Sequence, residues 1–245
     1  MIFPNGMEDE QESPWPDGEN KSSLIEAFRK TIPVMLGYIP IGIAFGLLIT
    51  HYGFHWTYSV IMSLFIFSGA GQFVAVALAV AGAGLIEIVL TMLFLNLRHS
   101  FFGLSLINRF AGTGKIKPYL VFALTDETYA LITGINVSEK TSASRLYAYV
   151  TGLNHLYWVT GSLLGALIGQ FMDMDLTGLE FALTALFVVL SIEQYRIARA
   201  SFPFLAALTA GGLAMIFADS RNMLLVSIIA GSLLLISHER GRKDA

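Results

Sequence analysis

The sequence predicts an all-α, polytopic helical membrane protein of about eight transmembrane segments, with seven as the lower count. Three observations predict it. Only 13% of the 245 residues are charged and 55% are hydrophobic, with a mean hydropathy of +0.65, whereas soluble chains average about 25% charged residues. Long apolar runs recur along the chain, and 18 or more apolar residues are enough to span a bilayer. The runs do not show the alternating ten-residue pattern of a membrane β-barrel.

Residues 1–23 carry Glu8, Asp9, Glu10, Glu12, Asp17 and Glu19 among prolines and glycines. This segment lacks the basic start and apolar centre of a signal peptide and reads as a disordered acidic tail. The transmembrane domain follows at 24–237, in halves of about 31–136 and 146–237, with a basic tail at 238–245. The apolar segments are expected at about 31–50, 57–80, 84–107, 118–136, 146–170, 179–197, 203–218 and 222–237. The last two are short for spans, so one of them could dip in and return.

The first segment reads GYIPIGIAFG over 37–46. Pro40 removes a backbone donor, and Gly42-x-x-x-Gly46 is a small-residue packing pattern. Helix packing competes here with a broken helix whose backbone faces a cavity, a reading that would place Tyr38, Pro40 and Gly42 at a binding site. The second segment carries FSGAGQF over 67–73. Ser68, Gly69, Gly71 and Gln72 make a poor continuous helix, and an unwound stretch is tolerated in lipid only where protein or water covers it. Its free amides would suit a carboxylate.

The third segment is interrupted by Asn96-Leu97-Arg98-His99, and the fourth by Asp126-Glu127. Charges inside apolar spans are costly and point to function. Arg98 lies eight residues before Leu106 and Asp126 eight after Pro118, roughly 12 Å from one end of an antiparallel hairpin. Arg98 either clamps an acid or binds a substrate carboxylate. Neighbouring acids on a helix point in different directions, so one of Asp126 and Glu127 remains to carry a proton. His99 is a second proton-carrying candidate. Glu87 is expected at the membrane interface, as are Glu193 and Gln194. Asn154 and His155 in the fifth segment face either a pore or another helix.

With the N-terminus inside and eight crossings, ten Lys and Arg fall inside and four outside, with Arg98 in the membrane. That places both termini in the cytoplasm, although the loop 109–117, with Arg109, Lys115 and Lys117, is then basic on the wrong side. An internal repeat is also suggested. Tyr38, Gly42 and Gly46 match Tyr157, Gly161 and Gly165, and LFIFSGAGQF (64–73) matches LFVVLSIEQY (186–195). Repeats of this kind mark secondary transporters; whether these are parallel or inverted stays open.

Several chemistries lack support. There is no cysteine, so thiolate metal sites and disulfides are excluded. Gly112-Thr113-Gly114-Lys115 does not complete a P-loop, and Gly53 between His51 and His55 argues against a metal pair. No cofactor, metal, catalytic residue or nucleic-acid partner is expected, and any transport would run on gradients.

GYIPIGIAFG, FSGAGQF, NLRHSFFGLSL (96–106) and LTDETYAL (124–131), in this order and spacing, resemble the AzlC family, the large subunits of bacterial branched-chain amino acid exporters. The resemblance covers residues 30–237; one departure is Gly71, where the family more often has serine. It implies export of leucine, isoleucine, valine and methionine across the cytoplasmic (inner) membrane, driven by the proton-motive force. It also implies a small AzlD-like membrane subunit as partner. A zwitterion would find donors at Ser68–Gln72 or Arg98, acceptors at Asp126 or Glu127, and an apolar wall at Phe45, Phe67 and Phe73. A passive channel for ions or small solutes, and a non-transporting scaffold subunit, are the rival classes.

Overall fold

The structure, a computed structural model, describes residues 17–135, 140–172, 199–218 and 223–243, with isolated helical positions between 181 and 196. All regular elements among the described residues are helical. They are α1 (Asp17–His51), α2 (Trp56–Phe65), α3 (Gly69–Val80), α4 (Leu85–Ser105), α5 (Lys117–Phe122), α6 (Asp126–Gly134), α7 (Lys140–Phe171), α8 (Phe202–Phe217) and α9 (Met223–Lys243). Helix α1 takes in the end of the expected acidic tail, as carboxylates favour the positive end of a helix dipole. Helix α9 likewise runs on into the expected basic tail, as far as Lys243. Glu193 and Gln194 lie outside the described residues, and so does the glutamine that the second match of the expected repeat aligns with Gln72.

Helices α1 and α7 form the spine. The glycine face of α1 lies on the glycine face of α7: a Cβ on Gly42 would meet the backbone of Trp158 and Gly161, and one on Gly46 the backbone of Ser162, Gly165 and Ala166. With Thr50 against Gly169, both chains advance together, so the two helices run parallel. The broken-helix alternative at Pro40 does not occur, because α1 passes through Pro33 and Pro40 without interruption. Neighbouring helices can support a proline that has lost its intrahelical bond, and here the packing reading of the glycines holds.

Two of the expected crossings fold back instead. The Ser59 hydroxyl donates to Ser162 O at 3.1 Å, and Ser63 O is 3.1 Å from His155 Nε2. Helix α2 therefore runs antiparallel to α7 and returns toward the middle. The chain then reverses. Phe67 meets Tyr38 with ring centroids 6.5 Å apart, and Phe73 meets Phe45 at 5.4 Å, so α3 climbs back alongside α1. At 10 and 12 residues, α2 and α3 are roughly 15 and 18 Å long, each about half of a bilayer core.

The same happens from the opposite end. Helix α4 runs down beside α3, with Met92 against Gly71 and Asn96 against Ser68. After it, α5 rises only to Phe122, and α6 descends from Asp126. Arg98 pairs with Asp126, Phe102 stacks on Tyr129 at 4.5 Å, and Arg109 Nη1 donates to Ile132 O and Ile135 O. Helix α6 is thus parallel to the lower half of α4. The antiparallel hairpin expected for Arg98 and Asp126 is corrected to a re-entrant one, since the polar break at Thr125-Asp126-Glu127 lets the chain turn at mid-depth.

The core divides accordingly. One cluster gathers Phe45, Leu48, Ile49, Phe67, Phe73, Val76 and Trp158 around α2 and α3; the other gathers Ala27, Leu106, Phe110, Leu120, Ile132, Leu146 and Val150 around α5 and α6. The outer surface is apolar, with Leu36, Phe65, Leu85, Ile86, Phe101 and Leu104 exposed. The loop carrying Arg109 and Lys115 lies at the end where α1 and α7 begin, beside Arg29, Lys30 and Arg145. This is the basic end. The opposite, far end is formed by His51–His55 and Ala81–Gly84, which contain no Lys or Arg.

Candidate functional site

The two hairpin tips meet at mid-depth. At the first, α2 stops at Phe65 and Phe67 takes a φ of 36°, a left-handed conformation that costs a residue with a Cβ about 1–2 kcal/mol. Ser68 is then extended and α3 begins at Gly69. At the second, α5 stops at Phe122, Thr125 is extended and α6 begins at Asp126. Phe67 is held in its strained turn by His155, whose ring centroid is 4.3 Å away, and by Tyr38.

Between the tips is a cavity of about 50 Å³ lined by Tyr38, Ile41, Phe67, Ser68, Gly69, Ala70, Arg98, His99, Thr125, Asp126, Glu127 and Trp158. Drug-sized ligands occupy pockets of about 300–1,000 Å³, several times this volume. The tips are therefore closed on a space suited to water, and a larger ligand requires a hairpin to move.

Three charged side chains, Arg98, Asp126 and Glu127, border the cavity. Arg98 Nη1 lies 2.9 Å from Asp126 Oδ2, with the side chains 30% and 24% exposed, so the pair borders the cavity. Glu127 points elsewhere, as expected for helical neighbours: the Tyr38 hydroxyl donates to its Oε2 at 2.6 Å and lies 2.7 Å from Thr125 Oγ1. Thr125 Oγ1 also accepts from the Thr128 amide at 3.2 Å, capping α6. The other tip has no such cap. The Ser68 hydroxyl donates away to Asn96 Oδ1 at 2.7 Å, and α3 begins without a side-chain cap. Its first amides belong to Gly69, Ala70 and Gly71, of which the first two residues line the cavity.

Of the residues singled out from the sequence, Tyr38, Ser68, Gly69, Arg98, His99, Asp126 and Glu127 line this space. Pro40, Gly42, Gly71, Gln72 and Asn96 do not. Gly42 is committed to α7, and Gly71 to Met92 and Ser68. Gln72 is fully buried behind the tip, with its Oε1 accepting from Trp158 Nε1 at 2.7 Å. Asn96 holds Ser68. Of the expected apolar wall only Phe67 reaches the cavity; Phe45 and Phe73 pack behind it. Sequence reasoning missed Ile41, Ala70, Thr125 and Trp158. Thr125 carried a legible signal, since Thr-Asp-Glu reads as a helix N-cap and first turn.

His155 and His55 have structural partners. His155 bridges the two hairpins: Nε2 donates to Ser63 O on α2, and Nδ1 accepts from the Tyr119 hydroxyl on α5, each at 3.1 Å. A carbonyl can only accept, which fixes the neutral tautomer. Asn154 Nδ2 donates to Thr128 Oγ1 at 3.0 Å, and His55 caps α2 through Thr57. Glu87 is buried in the first turn of α4. Among the described residues, no three His, Asp or Glu side chains converge as a metal site.

A family described as "AzlC protein" matches residues 33–172. The Bacillus subtilis "Branched-chain amino acid transport protein AzlC" is 38% identical over 72% of this chain and 71% of its own length. A Helicobacter pylori membrane protein is 42% identical over 70% of this chain and 75% of its own. The Escherichia coli "Inner membrane protein YgaZ" is 32% identical over 76% and 79%. No solved structure matches the chain.

Proposed function

The chain belongs to the AzlC family, a family of membrane transport proteins rather than enzymes, and on that premise we propose that it exports branched-chain amino acids through the cavity between the two hairpin tips. One observation carries the substrate class: the cavity lining combines apolar and charged side chains. Ile41, Phe67 and Trp158 supply the apolar wall; Arg98, Asp126 and Glu127 supply the charges. That is the polarity of a zwitterion with a hydrocarbon side chain.

In this reading the substrate ammonium takes the place of the Tyr38 hydroxyl on Glu127. The carboxylate is received by the uncapped amides at the start of α3, where the helix dipole favours an anion. Asp126 remains the clamp of Arg98. Glu127, which is the carboxylate left over by that pairing, is the proton carrier, and His99 a second titratable group on the same wall. Discontinuous helices that end at the midplane are a recurring design of substrate sites in secondary transporters.

The basic end is the cytoplasmic one. Lys21, Arg29, Lys30, Arg109, Lys115, Lys117, Lys140 and Arg145 all belong to it, which satisfies the preference of Lys and Arg for the cytoplasm and removes the misplaced basic loop of an eight-crossing arrangement. A small AzlD-like subunit is the expected partner on the exposed apolar surface. The test is efflux of preloaded radiolabelled leucine from cells lacking other exporters, with and without the partner and with the proton gradient intact or collapsed. Saturable, gradient-dependent efflux is expected. Unsaturable flux indifferent to the gradient would identify a channel, and no flux with the partner present would leave a scaffold.

A further inference from the structure

We propose that α1–α3 and α4–α6 are two copies of one structural unit inserted with opposite orientation, and that the Ser68–Asn96 and Tyr38–Thr125 hydrogen bonds are paired latches. Each latch holds one hairpin tip over the central cavity, one against each side of the membrane. The proposal rests on the transporter reading only for what moves through the cavity.

The relation is visible in direction, sequence and contact. Helix α1 rises, α2 returns halfway and α3 rises again; α4 descends, α5 rises halfway and α6 descends. Every direction is reversed. A single offset of 57 positions places Phe45-Gly46-Leu47 over Phe102-Gly103-Leu104, Phe65 over Phe122 and Ser68 over Thr125. Phe45 packs on Phe73 of its own hairpin, and Phe102 stacks on Tyr129 of its own. The same offset pairs four cavity-lining positions: Ile41 with Arg98, Ser68 with Thr125, Gly69 with Asp126 and Ala70 with Glu127. The cavity therefore lies where the two units face each other.

The latches cross between the units. Tyr38 on the long helix of the first holds Thr125 at the tip of the second, at 2.7 Å; Asn96 on the long helix of the second holds Ser68 at the tip of the first, also at 2.7 Å. Ser68 heads the hairpin that enters from the far end, and Thr125 the hairpin that enters from the basic end. A cavity too small for an amino acid must open, and two equivalent hairpins facing opposite ways give it two ways to do so. Releasing the Asn96 latch lets α2–α3 withdraw and opens the cavity toward the far end. Releasing the Tyr38 latch lets α5–α6 withdraw and opens it toward the basic end. His155, bonded to Ser63 on one hairpin and Tyr119 on the other, is the strut both motions share. Tyr38 and Asn96 are thus positioning residues for access.

The absence of cysteine from the sequence makes the test direct. Ala70→Cys, or Ile41→Cys if the first fails to insert, places one thiol on the cavity wall, and a membrane-impermeant maleimide is added to right-side-out or inside-out vesicles containing the full chain. Loss of one buried hydrogen bond shifts a two-state equilibrium about fivefold, so Asn96→Ala should raise labelling about fivefold from the far-end side alone. Tyr38→Phe, which keeps the ring but removes the hydroxyl's contacts to both Thr125 and Glu127, should raise it by at least that factor from the basic-end side alone. Equal increases from both sides, increases from the same side in both variants, or no change in either would overturn the latches. Labelling requires no substrate, so this outcome is independent of whether leucine is carried.

Discussion

Ser68 and Thr125 stand at the same point of two hairpins, yet they treat their helices oppositely. Thr125 caps the helix that follows it, whereas Ser68 gives its hydroxyl to Asn96 and leaves the start of α3 open. Two half-helix N-termini thus face one cavity, one occupied by its own cap and carboxylates, the other available to an anion.

That difference predicts how the substrate is held. Replacing Glu127 with Gln removes the counter-charge for an ammonium but keeps the shape and the Tyr38 contact. Leucine affinity should fall by about tenfold to a hundredfold, the loss of a charge-assisted hydrogen bond worth about 1.5–3 kcal/mol. Binding of 4-methylpentanoate, which lacks the amine, should change little. Competition against bound leucine in detergent measures both. An equal loss for the two ligands would remove Glu127 from the ammonium seat.

The Arg98–Asp126 pair should behave as a clamp. Asp126→Asn leaves a half-buried guanidinium without its charge partner and should lower stability by about 2 kcal/mol, below the cost of breaking a fully buried pair because water reaches both side chains. Arg98→Met with Asp126→Leu should recover most of that stability without restoring transport. Thermal unfolding in detergent, followed beside efflux, distinguishes the two effects.

The re-entrant path can be read from outside the cavity. Ala81→Cys and Lys115→Cys are both at exposed positions. Ala81→Cys should react with an impermeant thiol reagent only from the periplasmic face, and Lys115→Cys only from the cytoplasmic face. Eight full crossings would give the reverse for each.

The spine is predicted to tolerate no added carbon. A Cβ at Gly46 or Gly165 would enter the backbone of the opposite helix, so either alanine variant should cost about 1–3 kcal/mol from overpacking. Gly37 on the same helix has open space around its Cβ position, and Gly37→Ala should stabilise by about 0.5–1 kcal/mol through helix propensity alone. The contrast in detergent melting temperature checks that packing, rather than glycine content, sets the effect.

The sequence by itself determined the class and the chemistry. Apolar runs, scarce charge and four interruptions established a helical membrane protein and identified Ser68, Arg98, Asp126 and Glu127, because polar groups in lipid are too costly to be incidental. It also carried the pairing of Arg98 with an acid at equal depth. Tertiary structure alone decided the path. A broken apolar run of 24 residues fits a crossing or a return equally well by length and hydropathy. Contacts from Ser59, Ser63, Phe67 and Phe73 to α7 and α1 choose the return. Tyr38 and Asn96, far from the tips in sequence, could be assigned to Thr125 and Ser68 only once the units were folded against each other, since a hydrogen bond between distant segments leaves no periodicity in the chain.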